Sequence, residues 1–316
     1  MTLLFTGSEL DAFLTDSTST GTTAGHFHSE YSRGYFVCDD SHFLRSPDFA
    51  ATSALWVHWS EYITGTGTSP SGMVLRGNDG TDYVRVVHLN DDLILQTWNG
   101  SSWDSIWNSG TNYTSALNDI DIELDNDVSG RLALYINGIN RYANDGDYSS
   151  IDDIVSIEVI GRGSNNINTS EVVVSDEMTI GWHVYYREPT GNGDYTSWTG
   201  DYTDVDELAL SDADYIESSS ADEIELYTRA AISVPTGYEV KGLGVAIRGK
   251  NGATGPQNMQ ASLRFGSTDY VSSTLSLSSG FEGFFYMWET NPSTALAWTT
   301  ADAGSATVQF GVKSIT

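Results

Sequence analysis

Apolar and polar residues alternate with a period of two over short runs along most of the chain. That period sends successive side chains to opposite faces of an extended strand, so each run reads as a strand with one buried face. Runs at 54–63, 72–76, 83–89, 93–98, 120–124, 132–136, 154–160, 171–175 and 179–186 carry it. A second series follows at 223–234, 239–248, 259–266, 270–277, 284–288 and 307–313. Between runs, Asn78-Asp79-Gly80, Asn90-Asp91-Asp92 and Asn99-Gly100 supply residues that tolerate the left-handed backbone of a tight hairpin. No stretch sustains a helical period, and 206–210 gives one turn at most. Strands at this spacing without helices between them predict an all-β fold built of β-sandwiches, not a parallel α/β sheet.

The pattern breaks near residue 190. Residues 187–194 are rich in Gly, Pro and Asn, and 195–220 are acidic, polar and weakly periodic. The expected division is therefore a first sandwich over 1–188, an acidic connector over 189–211, and a second, smaller sandwich over 212–316. No internal repeat emerges.

Charge narrows the choice of partners. The 316 residues hold 43 Asp+Glu against 14 Lys+Arg, a net charge of −29, and the only lysines are Lys241, Lys250 and Lys313. A nucleic-acid surface needs clustered cations to displace counterions, and no window holds such a cluster, so neither nucleic acid nor an anionic membrane is an expected partner. The 39% hydrophobic content, with nine Trp, seventeen Tyr and eleven Phe, sets the chain apart from disordered acidic sequences. Cys38 is the sole cysteine and follows Phe36-Val37, which predicts a buried, inert thiol and no intrachain disulfide. The start, Met1-Thr2-Leu3-Leu4-Phe5-Thr6-Gly7, has no basic n-region, so no signal peptide is expected there, and no apolar run is long enough to span a bilayer.

The sharpest chemical candidate is Asp119-Ile120-Asp121-Ile122-Glu123-Leu124-Asp125. On a strand it puts four carboxylates on one face and three apolar residues on the other. Paired carboxylates are what a glycosidase uses as nucleophile and acid/base, which makes Asp121 and Glu123 the catalytic candidates. The stretch resembles the Glu-x-Asp-x-Glu strand of laminarinase-type glucanases, which share a jelly-roll fold with legume lectins. The position matching that family's nucleophile is Asp119, one methylene shorter than the glutamate expected. The competing expectation is a half-buried strand with a solvated acidic face.

Three further constellations have the right residue types. Asp125-Asn126-Asp127-Val128-Ser129-Gly130 matches the first half of an EF-hand loop, yet position 12 falls on Ile136 where a bidentate Glu is required. Asp125 and Asp127 are the metal candidates, Ca²⁺ the ion they would suit, and a hairpin turn the plainer expectation. His26 and His28 offer two ligands without a third, and His42, His58, His88 and His183 form no ligand pattern. Trp98, Trp103 and Trp107 flank the Asn99-Gly100 turn and are the glycan-binding candidates, since indoles stack on pyranose faces; the alternative is cross-strand packing. No Walker loop, dinucleotide fingerprint, nucleophile elbow or His-Glu-x-x-His is present, and no cofactor is expected.

The segment Leu132-Ala133-Leu134-Tyr135-Ile136-Asn137-Gly138-Ile139 resembles the Leu-Tyr-hydrophobic-Asn-Gly hairpin of concanavalin A-like domains of the laminin-G and pentraxin type. The opening Leu3-Leu4-Phe5-Thr6-Gly7 and the 170–177 run Ser-Glu-Val-Val-Val-Ser-Asp-Glu are similar to paired strands of such domains in bacteriophage structural proteins. Trp198 to Glu207, Asp214-Tyr215-Ile216, Trp288-Glu289-Thr290-Asn291-Pro292, Ala297-Trp298-Thr299 and Phe310-Gly311-Val312-Lys313 resemble the connector and terminal β-domain of those proteins.

The resemblance implies two β-sandwich (jelly-roll) domains, the first concanavalin A-like. It also implies a non-enzymatic structural component of a tailed-phage virion. That component would be a globular exterior appendage, a head decoration or spike or a tail-tip or fibre-associated protein. It would be made in the host cytoplasm and would meet other virion proteins, copies of itself and a host surface glycan. Neither coiled-coil heptads nor β-helical repeats are present, which argues against a fibre shaft. The alternatives from other classes are a free carbohydrate-binding module and a glycan depolymerase using Asp121 and Glu123.

Overall fold

The computed structural model describes residues 2–7, 13–15, 23–24, 34–38, 43–64, 68–112, 117–161, 166–207 and 211–316. His26, His28 and His42 lie outside them. The chain divides into two compact units, Met1–Val184 and Tyr185–Thr316.

The described strands of the first unit are β1 (Leu3–Gly7), β2 (Leu14–Thr15), β3 (Thr23–Ala24), β4 (Gly34–Cys38) and β5 (Phe43–Arg45). There follow β6 (Ala54–Thr64), β7 (Ser71–Gly77), β8 (Asp82–Leu89), β9 (Asp92–Trp98) and β10 (Trp103–Asn112). The set ends with β11 (Leu117–Asp125), β12 (Gly130–Ile136), β13 (Ile139–Gly146), β14 (Ile154–Ile160) and β15 (Asn166–Ser175). They form two antiparallel sheets. The eight-stranded sheet runs β13-β12-β11-β6-β15-β4-β3, with β1 also on β15; the seven-stranded sheet runs β10-β9-β8-β7-β14-β5-β2.

The alternation seen in the sequence decides which side of each sheet is core. Leu55, Val57, Trp59 and Ile63 of β6, Ile120, Ile122 and Leu124 of β11, and Leu132, Leu134 and Ile136 of β12 are all buried on one face. Met73, Leu75, Val84, Val86, Leu93, Leu95, Ile157 and Val159 do the same for the other sheet. The Cys38 thiol reaches from the first sheet to the Val159 carbonyl of the second at 3.4 Å, so the two buried faces meet in a sandwich. Two hairpins close with two-residue loops in the left-handed region: Asn90 (φ 52°) with Asp91 (φ 73°), and Asn137 (φ 52°) with Gly138 (φ 71°). These backbone angles match the twist of the flanking strands, which is why Asn, Asp and Gly stand there.

The second unit has β16 (Pro189–Thr196), β17 (Ile224–Arg229), β18 (Leu243–Gly249), β19 (Asn258–Phe265) and β20 (Thr268–Val271). It continues with β21 (Leu275–Ser276), β22 (Glu282–Trp288), β23 (Thr290–Asn291), β24 (Leu296–Ala297), the five-residue helix α1 (Thr300–Gly304) and β25 (Gln309–Ile315). A six-stranded sheet β16-β17-β25-β19-β20, with β21 on β19, faces the ribbon β18-β22. Val245 and Trp288 of the ribbon share one core with Ala261 and Leu263 of the sheet and with Trp298 and Ala303. Residues 189–211, expected as a connector, are partly built into this sheet: β16 pairs with β17, and Tyr202–Asp204 forms a turn capped reciprocally by Asp201 and Asp204. Pro189 is tolerated because β16 is an edge strand.

Glu225 lies fully buried on β17. Burial pushes its carboxyl above the usual carboxylate range, against the opposing hydrogen bonds from Trp198 and Ser197. A raised folded value means the group stabilises the fold when protonated and that this contribution is lost as pH rises above about 4.5. Glu225→Gln is therefore expected to flatten the fall in melting temperature of this unit between about pH 4.5 and 7. Thermal unfolding of both proteins across that range is the check; parallel curves would refute it.

Candidate functional site

Two surfaces of the first unit carry the residues singled out above, one on each sheet. On β11 the carboxylates Asp119, Asp121, Glu123 and Asp125 turn away from the core, opposite Ser60, His58, Trp56 and Ala54 of β6. A solvated row was the expectation, and for Asp121 the structure corrects it. Asp121 and His58 are each 1% exposed, and His58 Nδ1 lies 2.9 Å from Asp121 Oδ1. Thr179 Oγ1 donates to the same oxygen at 2.8 Å. Burial works to lower the His58 pKa, but the Asp121 charge and hydrogen bond, with Asp119 and Glu171 nearby, leave it raised.

The rest of the row is also held locally. Ser60 Oγ donates to Asp119 at 2.6 Å, and Glu123 accepts from Arg131 Nε at 2.9 Å and Tyr135 Oη at 3.3 Å. Asp125 accepts from the Asp127 backbone N–H, and Asp127 from that of Val128. The two metal candidates thus spend carboxylate oxygens on the turn between β11 and β12. Among the described residues no three acidic, His or Cys side chains converge as a metal-holding group.

Thr179 belongs to 179–186, where the alternation Ile180, Trp182, Val184 predicts a strand. The structure shows irregular chain there. Side-chain anchors take the place of a ladder: Thr179 holds Asp121, and His183 Nδ1 lies 2.9 Å from Glu171 Oε2. Glu171 sits fully buried at a register shift of β15, with φ 54°. A bulge of this kind re-aims one side chain out of the strict alternation.

The second surface is the face of the seven-stranded sheet away from the core. Trp98 and Trp103 are direct cross-strand partners there, both part-exposed, with ring centroids 5.6 Å apart. Trp107 does not join them. A register shift after Ser105 sets it opposite core-facing Leu95, so the expected trio is a pair.

Residues that the sequence reading passed over complete this face. Register places Arg45, Glu158, Val74, Arg85, Gln96 and Ser105 in one row across six strands. Arg85 Nε donates to Gln96 Oε1 at 2.6 Å, Gln96 Nε2 donates to Ser105 Oγ at 2.9 Å, and the Arg85 guanidinium lies 4.1 Å over the Trp103 ring. Arg76 joins from β7, with Nη1 2.9 Å from Asp82 and 3.6 Å from Glu158. The available signal was a lone arginine following an apolar residue on a strand, Leu44-Arg45, Leu75-Arg76 and Val84-Arg85, in a chain short of cations.

No family model and no curated protein sequence matches the chain. Solved structures of similar form include the endo-β-1,4-glucuronan lyase of the fungus Trichoderma reesei, at 8% identity and TM-score 0.43, covering 57% of this chain and 98% of that one. The cellulose-induced protein Cip1 is similar at 10% identity and TM-score 0.40, over 52% of this chain and 88% of its own. Domain 4 of the arabinanase AbnA of Geobacillus stearothermophilus, solved with arabinotriose, gives 13% identity and TM-score 0.36 over 55% and 80%. At these values the likeness assigns no ligand or activity to this chain. The sheets described above define the class: an all-β protein whose first unit is an antiparallel two-sheet sandwich.

Proposed function

We propose that the chain is a non-enzymatic, glycan-contacting structural protein, a globular exterior appendage of a tailed-phage virion. The observation that carries the glycan part is the part-exposed Trp98–Trp103 pair, set on one sheet face beside Arg85, Gln96 and Ser105. Aromatic surface next to fixed polar groups is how a site takes both the apolar face and the hydroxyls of a sugar. The non-catalytic part is supported by Asp121, whose carboxylate is enclosed by His58 and Thr179 where no substrate reaches it. The virion part rests on the resemblance of the 3–7, 170–177, 198–207 and 288–313 segments.

Glycan arrays with the full chain test the first part. An indole face of about 80 Å² contributes about 2 kcal/mol, so Trp103→Ala is expected to weaken glycan binding about thirty-fold. Binding unchanged by that substitution removes this site. Mass spectrometry of purified particles tests the virion part and separates it from a free carbohydrate-binding module; absence of the chain from particles overturns it.

A further inference from the structure

We infer that the ligand of the seven-stranded sheet face is an acidic glycan of the polyuronate type, its carboxylates taken by Arg45, Arg76 and Arg85. The inference rests on the glycan reading and names the chemistry of the same site. The first unit contains no lysine, the whole chain only eleven arginines, and the net charge is −29. Three of those arginines nevertheless stand on one face of one sheet, fixed there by register.

Each guanidinium is oriented and part-exposed. The Arg45 side chain is 30% exposed with Nε 3.2 Å from Ser156 Oγ, and that of Arg76 is 26% exposed with Nη1 on Asp82. Arg85 donates Nε–H to Gln96 and lies over the Trp103 ring. Glu158 lies between Arg45 and Arg76 at 3.9 and 3.6 Å, distances too long for a close bidentate pair. On the same face Val74, opposite Arg85, packs with Val87 and Ile160 in a buried apolar cluster. Such a cluster lowers the local dielectric and strengthens any charge pairing beside it.

A guanidinium has five donors and no acceptor, and its planar fork matches a carboxylate. Asp48 takes one Arg45 nitrogen at 3.1 Å and Asp82 takes one from Arg76, and the donors those two forks have left, with those of Arg85, suit carboxylates better than hydroxyls that both give and accept. Strands lie about 4.8 Å apart, and the three arginines span four of them, from β5 to β8. A polymer with repeated carboxylates fills that span; a single acidic sugar does not. The negative charge elsewhere on the chain opposes a polyanion at long range, but the Debye length is about 8 Å at about 0.15 M salt. Contacts at the face survive that screening.

The test compares the full chain's binding to polygalacturonate and to the same polymer fully methyl-esterified, at about 0.15 M salt. The free acid is expected to bind about tenfold tighter or more, and Arg76→Gln to remove about tenfold of it while leaving the ester unchanged. The wild-type comparison needs no variant, and Arg45→Gln serves where another substitution fails to fold. Equal binding of acid and ester, or no effect of any arginine substitution, overturns the inference. A neutral glycan that binds through Trp103 while polygalacturonate does not also overturns it and leaves the glycan reading standing. Failure of every glycan to bind brings down both.

Discussion

Glu61→Ala is expected to cost the first unit about 2–6 kcal/mol, the scale for leaving two buried donors without their acceptor. Glu61 lies on the core side of β6 and joins the two sheets inside the sandwich. One carboxylate oxygen is 2.5 Å from His88 Nε2 on the opposite sheet, and the other accepts from Trp59 Nε1 at 2.8 Å. The side chains of Glu61 and His88 are each 1% exposed. Truncation leaves an indole N–H and an imidazole without their acceptor where water does not reach, each orphan costing about 1–3 kcal/mol. Denaturant unfolding followed by near-UV signal measures the loss. Replacing both partners, Glu61→Met with His88→Leu, is expected to recover only the imidazole's share of it, because the buried Trp59 N–H still lacks its acceptor. A loss below about 1 kcal/mol for Glu61→Ala would show that the pair is not what joins the sheets there.

Asp121→Ala is the second large effect, about 3–5 kcal/mol, and it carries a pH signature. The His58 pKa is raised in the folded protein. Its interaction with Asp121 is therefore fully stabilising below the unfolded value of about 6.5 and is lost as pH rises through the folded value. Wild-type melting temperature should decline across that window above about 6.5, and the Asp121→Ala protein should show a shallower decline from a lower starting point. The same variant bears on the enzyme alternative. A glycan cleavage activity in the wild type that Asp121→Ala and Glu123→Gln both abolish, with the fold intact, would make the carboxylate row catalytic after all.

Strands with one apolar face were legible because burial acts on alternate residues. The predicted runs at 83–89, 93–98, 132–136 and 154–160 match β8, β9, β12 and β14 to within a few residues. The misses have physical reasons. Strand β13, Ile-Asn-Arg-Tyr-Ala-Asn-Asp-Gly, is an edge strand exposed along most of its length, so nothing demanded an apolar face. Strand β16 pairs on one side only and contains Pro189, Gly191 and Gly193, which read as loop. Residues 179–186 have strand periodicity but bond through side chains to groups far off in sequence, a relation that periodicity does not encode. The site was less legible than the fold. Trp98 and Trp103 were visible because a turn joins them. Arg45, Arg76 and Arg85 come together only once β5, β14, β7 and β8 are in register, and Asp121 finds His58 across a separation of 63 residues.

Cys38 gives the sandwich an internal clock. It is the chain's only thiol, fully buried, and its sulfur faces the Val159 carbonyl across the gap between sheets. A thiol reagent can meet it only after the two layers part, and nowhere else in the molecule can such a reagent form a product. The labelling rate under native conditions therefore times the opening of one defined seam. Comparing that rate in wild type with those of the Glu61 and Asp121 variants tells whether the seam opens with the whole unit or ahead of it.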